Sequence, residues 1–169
     1  MLRLGADAVS ILLNRIDERL IHGQVVIGWG AELRPARFIV VDDELAGSEW
    51  EQELYSLGLP SGMEVVFATV RDARARLSAW ASDDTLSVLL TRDIDSMVAL
   101  GSEGGLAEVS VNIGGIHHAP GRTDVLSYVY LSDEDREALV NLDLIAGDVS
   151  ARDLPASPKV PLQTLLKTG

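Results

Sequence analysis

The 169-residue chain has no cysteine, which excludes disulfide staples, thiol nucleophiles and thiolate metal sites and agrees with a cytoplasmic setting. Aromatic residues are few, at 5%, and Trp29, Trp50 and Trp80 fall in or near expected helices, so they read as packing residues rather than a stacking platform. Positive charge is in deficit. With 14 Lys and Arg against 26 Asp and Glu the net charge is −12, which works against binding a phosphate backbone, so no nucleic acid partner is expected. Long apolar runs are missing too. The opening MLRLGADAVSILLNRID is broken by Asp7 and Asp17 and too short for a signal peptide or a span, so any membrane association is expected to come through a partner. The absence of GxGxxG, GK[ST] and GxSxG lowers the nicotinamide, nucleotide-hydrolysis and serine-hydrolase readings.

What is present is the profile of a soluble globular protein, 47% hydrophobic and 24% charged, with no internal repeat or composition break. A single domain over 1–169 is the expectation. Short apolar runs at Val9–Leu13 with Arg15 and Ile16, Ala36–Val41, Met63–Val70, Thr85–Thr91 and Glu108–Gly115 read as strands. Between them, helical spacing marks Gln24–Leu33, Leu45–Leu57, Ala73–Ala81 and Ile94–Leu100, while the GSEGG of 101–105 is a loop. Strands alternating with helices predict an α/β fold, a mostly parallel central sheet flanked by helices on both faces. Later come a strand at Val125–Leu131, a helix opened by a Ser132/Asp135 capping box, a last strand in LIAGDVS, and a proline-rich end with at most a short terminal helix.

In such sheets ligands collect beyond the carboxyl ends of the strands. If the first strand ends near Ile16, the loop in NRIDERLIHGQV, 14–25, places Asp17, Arg19 and His22 at one cavity, and a helix starting near Gly23 adds backbone N–H groups for an anion. Histidine can accept a phosphoryl group on a ring nitrogen, and arginine can neutralise the transferring oxygens. The plainer alternative is an Asp17–Arg19 surface ion pair with His22 packed near the helix.

A second cluster, NIGGIHHAPGRTDV at 112–125, has Gly114 and Gly115 at a strand exit, where a backbone can approach closely, and Arg122 as a further positive group. It could form the facing wall of the same cavity, or simply be a strand exit with His117 and His118 in a solvent-facing turn. The adjacent histidines lack the companions a metal site needs, so no metal is expected.

RIDERLIHGQV at 15–25 closely resembles the phosphorylation-site stretch of the IIB component of the mannose/fructose/sorbose type of the bacterial sugar phosphotransferase system. VNIGG at 111–115 followed by GRT at 121–123 resembles that family's later glycine motif, and the order of strands and helices matches over nearly the whole chain. The resemblance implies that His22 is the phosphoryl carrier, through Nδ1, that Arg19 neutralises the phosphoryl group, and that Asp17 orients Arg19 or the histidine. Arg15, Gly23, Gly114, Gly115 and Arg122 are candidates for phosphate or partner contacts. It further implies a IIA phosphodonor protein, membrane IIC and IID components, a hexose-type sugar as final acceptor, a cytoplasmic place at the inner face of the membrane, and no nucleotide or metal cofactor. The alternative of another class is a IIB-like regulatory protein controlled by histidine phosphorylation. IHHAPG at 116–121 departs from the aromatic and basic residues that often follow the family's glycine pair. A homodimer is a weaker expectation, symmetric dimers being the commonest oligomers. Because the chain is so acidic, a basic ring is expected around His22 to receive an acidic donor.

Overall fold

A computed structural model describes residues 9–167; the reading of the opening segment rests partly on residues 1–8, which lie outside them. The strands are β1 (Ile11–Ile16), β2 (Arg37–Val41), β3 (Glu64–Ala68), β4 (Ser87–Thr91), β5 (Ser110–Ile113), β6 (Thr123–Leu126), β7 (Val129–Leu131), β8 (Asp148–Ala151) and β9 (Val160–Pro161). Seven of them form one sheet in the order β3-β2-β4-β1-β5-β8-β9. RFIVV of β2 and SVLLT of β4 are buried at every position, as interior strands covered on both faces must be, whereas EVVFA of β3 is more open because it is an edge.

The expected mostly parallel sheet is corrected to a mixed one. Neighbours from β3 to β8 run parallel, but β9 lies antiparallel on β8, and β6 and β7 form a separate antiparallel pair. Connection length is the reason. A parallel return needs a crossover of about a dozen residues or more, usually a helix. The Ser127-Tyr128 turn between β6 and β7, and the link 152–159 with Pro155 and Pro158 between β8 and β9, contain none. The expected single strand Val125–Leu131 is therefore a hairpin.

Two helices also differ from expectation. Leu45–Leu57 is split by Gly47 into α2 (Asp43–Ala46) and α3 (Glu49–Leu57). Gln24–Leu33 becomes a π-helical turn, Gln24–Trp29, running into a single α turn, α1 (Gly30–Leu33), with the Gly30 N–H reaching back to the Val25 carbonyl. The remaining helices are α4 (Val70–Ser82), α5 (Ile94–Leu100), α6 (Asp133–Ile145) and α7 (Leu162–Lys167). Thr69, Asp93 and Ser132 cap α4, α5 and α6 with their side-chain oxygens, and both halves of the Ser132/Asp135 capping box form. Among the described residues no helix is long and apolar enough to cross a membrane.

The core is in two parts, one on each face of the sheet. Ile16, Ile39, Leu89 and Ile113 meet Leu77 and Trp80 of α4, Met97 of α5, Leu139 of α6 and Leu165 of α7. Leu13, Phe38, Val40, Val88 and Leu90 meet Val25 and Trp29 of the π-helical segment and Leu45 of α2. Strand alternation puts Arg15 on this second face beside Leu13, and Asn112, opposite Arg15 in the β1–β5 register, projects to the same side. A guanidinium is thereby carried under the cover of Trp29.

Candidate functional site

The carboxyl ends of β1, β4 and β5 meet where Asp17 N–H bonds the Thr91 carbonyl and Gly114 N–H bonds the Ile16 carbonyl at 2.7 Å. Arg15 is fully buried there. Its Nη1 donates to Asn112 Oδ1 at 2.6 Å and to the Arg152 carbonyl at 2.8 Å, its Nε donates to Asp17 Oδ2 at 3.2 Å, and its guanidinium lies 5.5 Å from the centre of the Trp29 ring. A Cβ on Gly114 would stand 2.4 Å from the guanidinium carbon, so only glycine lets the β5 exit lie flat against it.

Asp17 is also fully buried and is shared. Oδ2 meets Arg15 on one side and His22 Nε2, at 3.0 Å, on the other, while Oδ1 accepts the Arg19 backbone N–H at 3.1 Å. Burial pushes the Asp17 carboxyl up, but the His22 hydrogen bond and the Arg15 charge outweigh it and hold it below its ordinary range. Burial likewise lowers Arg15 from the usual arginine value, against the pull of Asp17. An ionised carboxylate only accepts hydrogen bonds, so Asp17 selects the ring form with a proton on His22 Nε2, and in the neutral ring the lone pair is on Nδ1. His22 is 14% exposed by its side chain, enough for that ring to be reached from outside.

Between Asp17 and His22 the backbone turns through Leu20, a non-glycine residue at φ 54°, whose side chain is fully buried in the second core. That left-handed turn is costly for leucine, and the buried side chain holds it in place. The helix begins directly after His22, whose carbonyl accepts from the N–H groups of Val25 and Val26.

The expected residues are therefore sorted. Asp17 joins His22 to Arg15, Gly114 lies against the Arg15 guanidinium, and Gly115 adjoins Asp17, whose Oδ1 lies 3.4 Å from where its Cβ would be. The Arg19 side chain is exposed and makes no ion pair with Asp17; among the described residues it has no partner. Gly23 opens the helix with nothing within 4 Å of its would-be Cβ, so no close approach requires it. Arg122 is a second layer: Nη1 bonds Glu18, and Nε bonds Asp135 at 3.0 Å. Of the expected basic ring, Arg15, Arg19, Arg92, Arg122 and Arg152 stand at this edge, but Asp17, Asp42 and Glu18 neutralise Arg15, Arg92 and Arg122. Among the described residues no cluster of His, Cys, Asp and Glu is arranged to hold a metal ion.

Sequence reasoning missed Asn112, Trp29 and Glu18 as members of this site. The polar Asn112 inside VNI, directly before the glycine pair, was the available signal; Trp29 gave none beyond helical spacing.

Comparison with known proteins fits this geometry. The family model of the sorbose-subfamily IIB component of the phosphotransferase system matches residues 11–169. The mannose-specific EIIAB component of Escherichia coli K12 is 31% identical over 163 residues, covering 95% of this chain and 49% of that protein, so the chain spans about half its length. The sorbose-specific EIIB component of Klebsiella pneumoniae is 29% identical over 153 residues, 90% of this chain and 92% of that one. Among solved structures, manxB from Thermoanaerobacter tengcongensis superposes with a TM-score of 0.80 at 32% identity, covering 96% of this chain and 98% of that one. The IIBSor domain of the Klebsiella pneumoniae sorbose permease gives 0.81 at 27% identity, with 95% and 98% covered. With the motifs of 15–25 and 111–123 meeting at one strand edge, the chain belongs to the IIB components of the mannose/fructose/sorbose family of the sugar phosphotransferase system.

Proposed function

We propose that the chain, as one IIB domain over 1–169, accepts a phosphoryl group on Nδ1 of His22 from the phosphohistidine of a IIA protein. It then passes the group to a hexose-type sugar held by membrane IIC and IID components. The observation that carries this reading is the hydrogen bond between His22 Nε2 and Asp17 Oδ2 at 3.0 Å. It holds the ring in the tautomer whose Nδ1 is nucleophilic, and Arg15 behind Asp17 keeps that carboxylate ionised. In each transfer the bond from phosphorus to the donor breaks as the bond to the acceptor forms, roughly in line, and the three oxygens share the developing charge. Arg19, the unpaired arginine of the loop, is long enough to swing onto those oxygens. Asp17 acts on His22 and, through its bond to the Arg19 backbone, on the loop shape, rather than as a nucleophile.

In this reading the protein works in the cytoplasm at the inner face of the membrane. Incubation with phosphorylated IIA followed by mass mapping tests the acceptor: phosphate on His22 is expected, and its absence there sinks the proposal. Adding membranes that contain IIC and IID with a sugar should then convert the label to sugar phosphate. Label that stays on the protein in every such mixture would favour a regulatory role.

A further inference from the structure

In the parallel part of a sheet, interior strands are normally apolar on both faces because both are covered. β5 and β8 depart from this. Val111, Ile113, Val149 and Ala151 point into the first core, but the alternating Ser110, Asn112, Asp148 and Ser150 face the other side, with Ser110 set against Asp148 and Asn112 against Ser150. Among the described residues none from β5 or β8 belongs to the second core. This polar half of the face lines a groove of about 160 Å³, bounded by Trp29 and by Arg152 and Lys159 from the link after β8. The space equals roughly five waters' share of liquid volume, below the roughly 300–1,000 Å³ of a drug-sized pocket, so its occupant is small.

The groove holds unmet bonding capacity of both signs. Among the described residues three buried side-chain nitrogen or oxygen atoms lack a hydrogen bond, Arg15 Nη2, Arg152 Nε and Asp148 Oδ2, and the last two belong to residues that line it. The backbone of Arg152 is committed to the fold: its N–H donates to the Ile113 carbonyl at 3.1 Å, and its carbonyl accepts from Arg15 Nη1 at 2.8 Å. Its guanidinium, by contrast, has no hydrogen bond or ion pair among the described residues. Asp148 Oδ2 lies 3.0 Å from Lys159 Nζ, and both side chains are about half exposed, so a ligand can enter at that end. The Ser110 and Ser150 hydroxyls are likewise without partners among the described residues.

A free guanidinium suits an anion with paired oxygens, whereas a buried carboxylate oxygen needs a donor. Arg152 and Lys159 against Asp148 leave the groove one positive charge in excess, which favours an anion even in so acidic a chain. Arg152 and Asp148 stand four residues apart, about 13 Å along the strand direction. That span suits an anion carrying a hydroxylated skeleton better than a bare ion.

We propose that this groove is a second ligand site, separate from His22, for a small hydroxylated phosphate ester. Its phosphoryl oxygens pair with the Arg152 guanidinium, and a hydroxyl at its other end donates to Asp148 Oδ2. Asp17, Arg19 and His22 do not line the groove, so binding here does not depend on His22 being the carrier. Such esters are the product class of the transfer proposed above.

The test titrates the full chain, labelled with nitrogen-15, with glucose 6-phosphate, inorganic phosphate and glucose. NMR follows the Trp29 indole and the backbone amides of Ser110, Ser150 and Arg152. The ester should give saturable shifts at these groups, and the other two should bind at least tenfold more weakly because each lacks one end of the contact. Arg152→Gln should weaken the ester roughly tenfold, the loss of one charge-assisted pair, with the spectrum otherwise kept because the removed group holds nothing in the fold. Asp148→Ala should weaken the ester yet leave inorganic phosphate unchanged. His22→Gln should leave every titration as in wild type. The assignment is overturned by any one of four results: no saturable shifts at the groove, undiminished ester binding in Arg152→Gln, inorganic phosphate as tight as the ester, or shifts that vanish in His22→Gln. None of these bears on phosphate incorporation at His22, so the two readings fail separately.

Discussion

Two arginines are buried in this sheet, at opposite ends of two strands that flank β4, and they are used differently. Arg37 begins β2 at the amino edge. Its fork grips Asp83 through both carboxylate oxygens, at 2.8 and 3.1 Å, and its Nε donates to Ser87 Oγ at 2.7 Å. Asp83 ends in the backbone, accepting the Thr85 N–H, so that network closes on a turn. Arg15 lies near the end of β1 at the carboxyl edge, and its acid, Asp17, is itself fully buried and opens onto His22. A buried arginine–carboxylate pair is therefore a turn clamp when the acid's other side is backbone. It becomes a device for setting a tautomer when that side is a titratable ring reachable from outside.

His22→Gln should break the carboxyl-edge network most completely, abolishing phosphate incorporation from phosphorylated IIA in a mass assay while urea unfolding stays cooperative. Next comes the contrast between Arg15→Met and Arg37→Met. Stripping Arg15 leaves Asp17 buried without its counter-charge, a loss of about 3–5 kcal/mol by urea denaturation. Any folded fraction should also label His22 slowly. Arg37→Met should lower the urea midpoint yet label His22 at the wild-type rate per folded molecule, and slow labelling there would erase the distinction drawn between the two edges. Gly114→Ala drives a methyl into the Arg15 guanidinium, and an overpacking cost of roughly 1–3 kcal/mol is expected, with His22 labelling reduced as the arginine shifts.

Acid should sharpen the comparison further. The folded-state pKa of Asp17 is depressed, so its contribution is fully present above the unfolded value and is lost as the pH falls through the lower folded one. The stability gap between wild type and Asp17→Asn, measured by urea unfolding, should be constant near neutrality and shrink below about pH 4. The smallest effect is expected at Asp83, whose pKa is lowered chiefly by the Arg37 hydrogen bond at an open position. Asp83→Asn should lower the thermal-unfolding midpoint least of these substitutions, because solvent screens the pair at that open position.

The sequence made the strands up to β5 legible because their apolar runs are short, bounded by turns and separated by helical spacing. It failed where connection length rather than residue type decides direction. Val125–Leu131 contains no glycine, proline or asparagine at its turn, so nothing in the letters separates one strand from a hairpin. Gly47 breaks α2 from α3, a division that helical periodicity on either side concealed. At the site, the run RIDERLIHGQV pointed to Asp17 and His22, yet adjacency in the chain favoured Arg19 as the partner of Asp17. Strand alternation instead turns Arg15 inward to it, and the partners that bury Arg15 come from Asn112 and Arg152, far away in sequence. Contacts across a sheet register are invisible to a reading that moves along one strand at a time.

Trp29 closes the floor of the site, its indole N–H bonded to the Asp153 carbonyl at 2.9 Å and its ring beside the Arg15 guanidinium. Of the other two tryptophans, Trp50 stands in solvent and Trp80 lies against Arg76 on the opposite face of the sheet. Replacing those two with phenylalanine leaves one indole, with its emission set by the field of the guanidinium that backs Asp17. A chain so poor in aromatics thus carries a built-in optical gauge of its buried Arg15–Asp17 pair, readable in a cuvette without any label.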